Sequence, residues 1–155
     1  MPMIDDLEHF LRCATRLEAD AADGYAQLAT IMADSGNSEV AALFSKFGEF
    51  SNLHYEEMLQ HQRNELGHCL AASDDSDITW PDGHSPEDPL EVADLSDLSA
   101  RQAIEMALET ERRACDFYSA VAGQTRSARV QELAQEFAEE EAEHVEHLQR
   151  WLERL

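Results

Sequence analysis

Residues 127–155 read SARVQELAQEFAEEEAEHVEHLQRWLERL, and this stretch decides the fold class. Val130, Ala134, Phe137, Leu148, Trp151 and Leu155 recur at the three- and four-residue steps that line up one face of an α-helix. The alternation bridges Phe137 to Leu148 only if Glu141 and His144 are counted in the stripe. A helix that places a carboxylate and an imidazole on its own apolar seam is not explained by packing alone.

Three further segments carry the same pattern. Leu11, Ala14, Ala21, Tyr25, Leu28 and Met32 trace a stripe that Glu18 interrupts. Val40, Phe44, Phe47 and Met58 trace another, interrupted by Ser51, His54 and His61. Ile104, Ala107, Ala114, Tyr118 and Val121 trace the third, interrupted by Glu111. The spacing predicts helices over about 5–33, 38–66, 99–123 and 127–155, each roughly 40 Å long at 1.5 Å per residue. Gly36 and Gly67 stop the first two, Asn37 or Ser38 caps the second, and Ser99 with Gln102 fits a capping box at the third. Residues 67–98 are different: Asp74-Asp75-Ser76-Asp77, Pro81, Gly83, Pro86 and Pro89 are loop chemistry. The expected architecture is all-α, a single four-helix bundle over 1–155, built from two helical hairpins joined by a long crossover loop at about 67–98.

The halves repeat one another. Val40, Leu43, Phe47, His54 and Met58 correspond to Val130, Leu133, Phe137, His144 and Leu148 at a constant offset of 90 (130 − 40), and Tyr25 corresponds to Tyr118. One duplicated hairpin, not a solenoid, accounts for this.

Composition narrows the function. Of 155 residues, 33 are Asp or Glu and 11 are Lys or Arg, a formal net charge of −22, which disfavours nucleic acid and anionic membrane surfaces as partners. No targeting segment and no run of about 20 apolar residues is seen. Cys13, Cys69 and Cys115 are too widely spaced for a metal knuckle, so reduced thiols in a cytoplasmic protein are expected.

Taken singly, a seam glutamate reads as a half-exposed edge carboxylate, and a seam histidine as a hydrogen-bonded core residue. Taken together, Glu18, Glu111, Glu141, His54 and His144 occupy corresponding places in two duplicated hairpins. Converging buried carboxylates repel one another and resist desolvation, and a cation reverses both penalties. Glu141 and His144, three residues apart, point the same way and can serve one metal ion. Tyr25 and Tyr118, each seven residues past a seam glutamate, suit core packing or a hydrogen bond to a ligating carboxylate. Glu57 and His147, one turn past the seam histidines, read as helix surface that could line an entrance. His61 is a weaker ligand candidate, and Glu139 and Glu140 read as solvated face.

This pattern resembles the ferritin-like di-iron superfamily, and its rubrerythrin branch most, over all four helices. That resemblance implies metal ligands at Glu18, His54, Glu111, Glu141 and His144, with Tyr25, Tyr118 and Ser51 beside them. Two positions depart from the family pattern. Ser51 stands where the second helix ordinarily supplies a glutamate, and Ala114 stands where rubrerythrins carry an extra one; the chain also has no rubredoxin-type module. The resemblance implies iron, as a di-iron or partly occupied centre, reacting with dioxygen or peroxide in a ferroxidase-like or peroxidase-like oxidoreductase served by a separate electron-donor protein. No residue is assigned as catalytic. Two other readings stand beside it: a mono-metal or zinc protein without turnover, and a metal-free acidic helical interaction module. A homodimer is the default oligomer.

Overall fold

The structure, a computed structural model, describes residues 4–70 and 97–155. Most of the expected crossover, residues 71–96, lies outside the described residues. Four helices form: α1 (Leu7–Asp34), α2 (Ser38–Leu66), α3 (Ala100–Gln124) and α4 (Ala128–Arg154). Their ends are local chemistry. The Asp6 side chain accepts from the Glu8 backbone N–H at 2.9 Å and caps α1. Ser99 and Gln102 exchange the two bonds of a capping box at α3, and Ser127 caps α4 through the Val130 N–H at 3.2 Å. Gly67 closes α2 at φ 81°, in the left-handed region that a residue without Cβ enters freely.

Short turns at 35–37 and 125–127 fold α1 onto α2 and α3 onto α4. The hairpins then meet over two apolar clusters. One gathers Phe10, Leu11 and Leu17 of α1, Met58 of α2, Tyr118 and Val121 of α3, and Val130, Leu133 and Phe137 of α4. The other gathers Leu28 and Met32, Phe44 and Phe47, Ile104 and Ala107, and Leu148. The first half of α1 thus lies beside the second half of α3, and the second half of α2 beside the first half of α4. Consequently α2 ends at one end of the bundle while α3 begins at the other. The link between them joins opposite ends, which is why a short turn could not serve. Two ion pairs mark the end where α4 starts: Arg126 on Asp5 at 2.9 Å, and Arg129 on Glu65 of α2.

The apolar seam residues are buried as their spacing requires, except at the last turn, while His54, His61 and His144 on the seams are half-buried. Leu155, expected on the α4 stripe, is exposed and lies just past the last helical residue, Arg154. Trp151 is half-buried and carries the Arg154 guanidinium 4.7 Å from its ring centre. Among the described residues, no helix is long and apolar enough to cross a membrane.

Candidate metal centre

Between the two apolar clusters each helix contributes polar side chains at the same level. On α1, Glu18 falls between Leu17 and Ala21; on α2, Ser51 and His54 fall between Phe47 and Met58. On α3, Glu111 falls between Leu108 and Ala114; on α4, Glu141 and His144 fall between Phe137 and Leu148. The helical repeat that buries the apolar residues on either side also buries the three carboxylates and Ser51, and leaves His54 and His144 half-buried. Glu18, Glu111 and Glu141 retain only 5%, 2% and 4% of their exposure. Uncompensated, each would cost several kcal/mol of desolvation.

The three-residue group Glu111, Glu141 and His144 converges: one ligand atom from each lies within 4.8 Å of the others. His144 Nδ1 stands 3.6 Å from Glu111 Oε2 and 3.5 Å from Glu141 Oε2. Those separations are too long for hydrogen bonds, and Glu111 Oε2 is buried with no hydrogen bond among the described residues. They fit an ion instead. Donors held about 2.0–2.2 Å from one metal lie roughly 2.8–3.6 Å apart at octahedral to tetrahedral angles. The residues present therefore suit a small divalent cation with nitrogen and oxygen ligands.

On the other side of the layer, His54 Nδ1 faces Glu18 Oε1 at 3.7 Å and likewise has no hydrogen bond among the described residues. The His54 and His144 rings stack at 5.6 Å and 18°, joining the two halves of the cluster. Burial pushes the Glu18 carboxyl up, and Glu111 adds to that shift, while His54 and His144 oppose it. Burial also works upward on Glu111, but Glu141, His144 and Tyr25 around it outweigh burial and hold its carboxyl below the usual range. Glu18 beside it carries His54 up to about 9, against the effect of burial. A layer so charged requires a proton or a metal to hold it together.

The tyrosines take different places. The Tyr25 hydroxyl donates to Glu111 Oε1, across the bundle from α1 to α3. It thus holds a carboxylate of the opposite hairpin, not Glu18 of its own helix. Tyr118 is fully buried, packed edge-on to Phe137 at 5.5 Å and Phe10 at 6.1 Å. Ser51 is buried one turn before His54, so α2 offers a hydroxyl where α4 offers the Glu141 carboxylate.

No family model matches the sequence, and no curated protein matches it. Among solved structures, the chain is similar to an uncharacterized conserved protein from Magnetospirillum magnetotacticum MS-1, with a TM-score of 0.77 and 30% sequence identity. The likeness covers 96% of this chain and 95% of that one. The chain belongs to that conserved, ferritin-like family.

In this member of the family, the structure brings Glu18, His54, Glu111, Glu141 and His144 to one level and leaves the weaker candidates outside. His61 packs edge-on to Phe137 at 5.8 Å. His147 packs on Phe47 at 5.2 Å, with burial lowering its imidazole, and Glu57 is exposed. Sequence reasoning missed Glu140. Read as solvated face because it is out of phase with the stripe, it is only 34% exposed and puts Oε2 3.9 Å from His54 Nε2. The signal that could have found it is its place beside Glu141, on the edge of α4 that faces α2 across the histidine stack.

Proposed function

We propose that this protein binds metal at the polar layer and that its centre has two unequal seats. Glu111, Glu141 and His144 form the first, and Glu18 and His54 the second, with Ser51 leaving the second short of a carboxylate. The observation supporting this reading is Glu111: a carboxylate 2% exposed, one oxygen held by Tyr25, the other without a hydrogen bond and facing His144 and Glu141. A metal relieves its desolvation, whereas a purely structural bundle would place leucine there.

Iron at such a centre supplies redox chemistry with dioxygen or peroxide. The chain's own part is to bind and orient. Tyr25 fixes the Glu111 carboxylate, the two apolar clusters exclude water above and below, and Ser51 leaves room beside His54. The proposal includes a separate electron donor, a two-fold dimer and a reducing compartment that keeps Cys13, Cys69 and Cys115 as free thiols. Anaerobic Fe(II) titration followed by dioxygen or peroxide tests it: saturable binding and a ferric absorption band are expected, and neither appearing would refute it. One observation favours a second reading. Only the first seat brings three ligand-type residues together among the described residues, which suits a single redox-silent ion such as zinc. Metal analysis of protein purified without added metal separates the two.

A further inference from the structure

His54 has a carboxylate at each ring nitrogen: Glu18 Oε1 3.7 Å from Nδ1 and Glu140 Oε2 3.9 Å from Nε2. The ring stacks on His144 with 5.6 Å between centroids, 18° from parallel. An imidazole binds one metal through one nitrogen, and its other nitrogen then carries a proton that needs an acceptor. Nδ1 points to the buried layer, beside Glu18, and Nε2 points to the partly exposed edge between α2 and α4. Glu140 therefore cannot share a metal with Nδ1 and is no substitute ligand for the carboxylate missing at Ser51. It faces Nε2 from 3.9 Å, beyond hydrogen-bond distance. It stays there although burial disfavours its charge and Glu57, Glu136 and Glu18 repel it, with His54 the attraction that opposes them.

We propose that Glu140 of α4 is a positioning residue for His54 of α2: by accepting the Nε2 proton it selects the tautomer whose Nδ1 serves the second metal seat. This rests on the metal-binding reading above. It also accounts for how a helix lacking the glutamate before its histidine still presents that histidine: the restraint arrives from the neighbouring helix. At His144, by contrast, Glu141 on its own helix and Glu111 opposite both face Nδ1.

The test titrates the full-length protein with Zn(II), following affinity and stoichiometry by calorimetry and the tautomer of isotope-labelled histidine by NMR. In the wild type His54 is expected to bind through Nδ1 and to keep a slowly exchanging Nε2 proton. Glu140→Ala should leave the first equivalent unchanged, weaken the second about 10–100-fold and lose that proton signal. Glu140→Gln, whose amide oxygen still accepts, should recover most of the affinity and the signal, which a merely structural role would not predict. Wild-type binding with Glu140→Ala indistinguishable from it, metal on His54 Nε2, or a single equivalent that leaves the His54 ring unmoved would each overturn the inference while the metal-binding reading stands. No Zn(II) or Fe(II) bound by the wild type would overturn both.

Discussion

Removing the His144 ring separates a metal centre from a packed polar layer. In the metal-free protein His144→Ala deletes a half-buried ring that stacks on His54 at 5.6 Å and Phe50 at 6.4 Å, so some stability is lost for packing reasons alone. The informative quantity is the metal-induced shift within each variant. With metal at 100 times its dissociation constant, the wild type gains about 2.7 kcal/mol by mass action. At roughly 2–4 °C per kcal/mol for a chain of this size, that raises the melting temperature by about 5–11 °C. In the proposed reading Glu111, Glu141 and His144 form the first seat, and deleting one of these three donors should cost at least the roughly 100-fold seen when a supporting partner is removed. The same metal concentration then equals about one dissociation constant and yields roughly 0.4 kcal/mol, a shift under about 2 °C. Differential scanning fluorimetry with and without Zn(II) or Fe(II) reads this directly. An equal metal-induced shift in His144→Ala and wild type would refute the assignment of this seat.

Other expectations follow from the same geometry. Ser51→Glu completes the second Glu-x-x-His at a buried position; it should destabilise the metal-free protein by about 1–3 kcal/mol and convert weak second-equivalent binding into tight binding in equilibrium dialysis. Phe10→Ala should cost about 3–5 kcal/mol in urea unfolding, since Phe10 is fully buried and stacks on Phe137 at 5.9 Å, and a loss below 1 kcal/mol would contradict that packing. Burial pushes the Cys13 thiol up to about 12. Its contribution is therefore intact below the ordinary thiol range near 8.5 and is lost as pH rises through 12; Cys13→Ala should flatten that alkaline slope in urea midpoints. For the same reason Cys69, which is exposed, should react with a thiol reagent at neutral pH while Cys13 stays unlabelled until unfolding.

Much of the fold was legible in the sequence. Helix spans follow from stripes of period 3.6 and from caps that are purely local: the Ser99–Gln102 box and the Gly67 stop act within a few residues. The depth of a seam residue was legible for the same reason, because Glu18, Glu111 and Glu141 share a phase with neighbours that must be buried. The α2 register, Ser38–Leu66, matches the expectation to the residue. Periodicity overreached at Leu155, because phase says which way a side chain points and not whether another helix reaches far enough to cover it.

Who meets whom across the bundle was decided by the tertiary structure alone. A stripe assigns a residue to a face; the partner on the opposite face depends on how the hairpins slide and tilt against one another. So the sequence could place Tyr25 near some carboxylate, but only packing pairs it with Glu111 of the other hairpin. Glu140 shows the limit most clearly. One residue out of phase, it belongs to the surface by any one-helix argument, yet the side chains of α2 and α4 that meet at the His54–His144 stack leave that edge facing a histidine. A helix's own repeat encodes burial; contacts at its margins exist only once a second helix lies alongside.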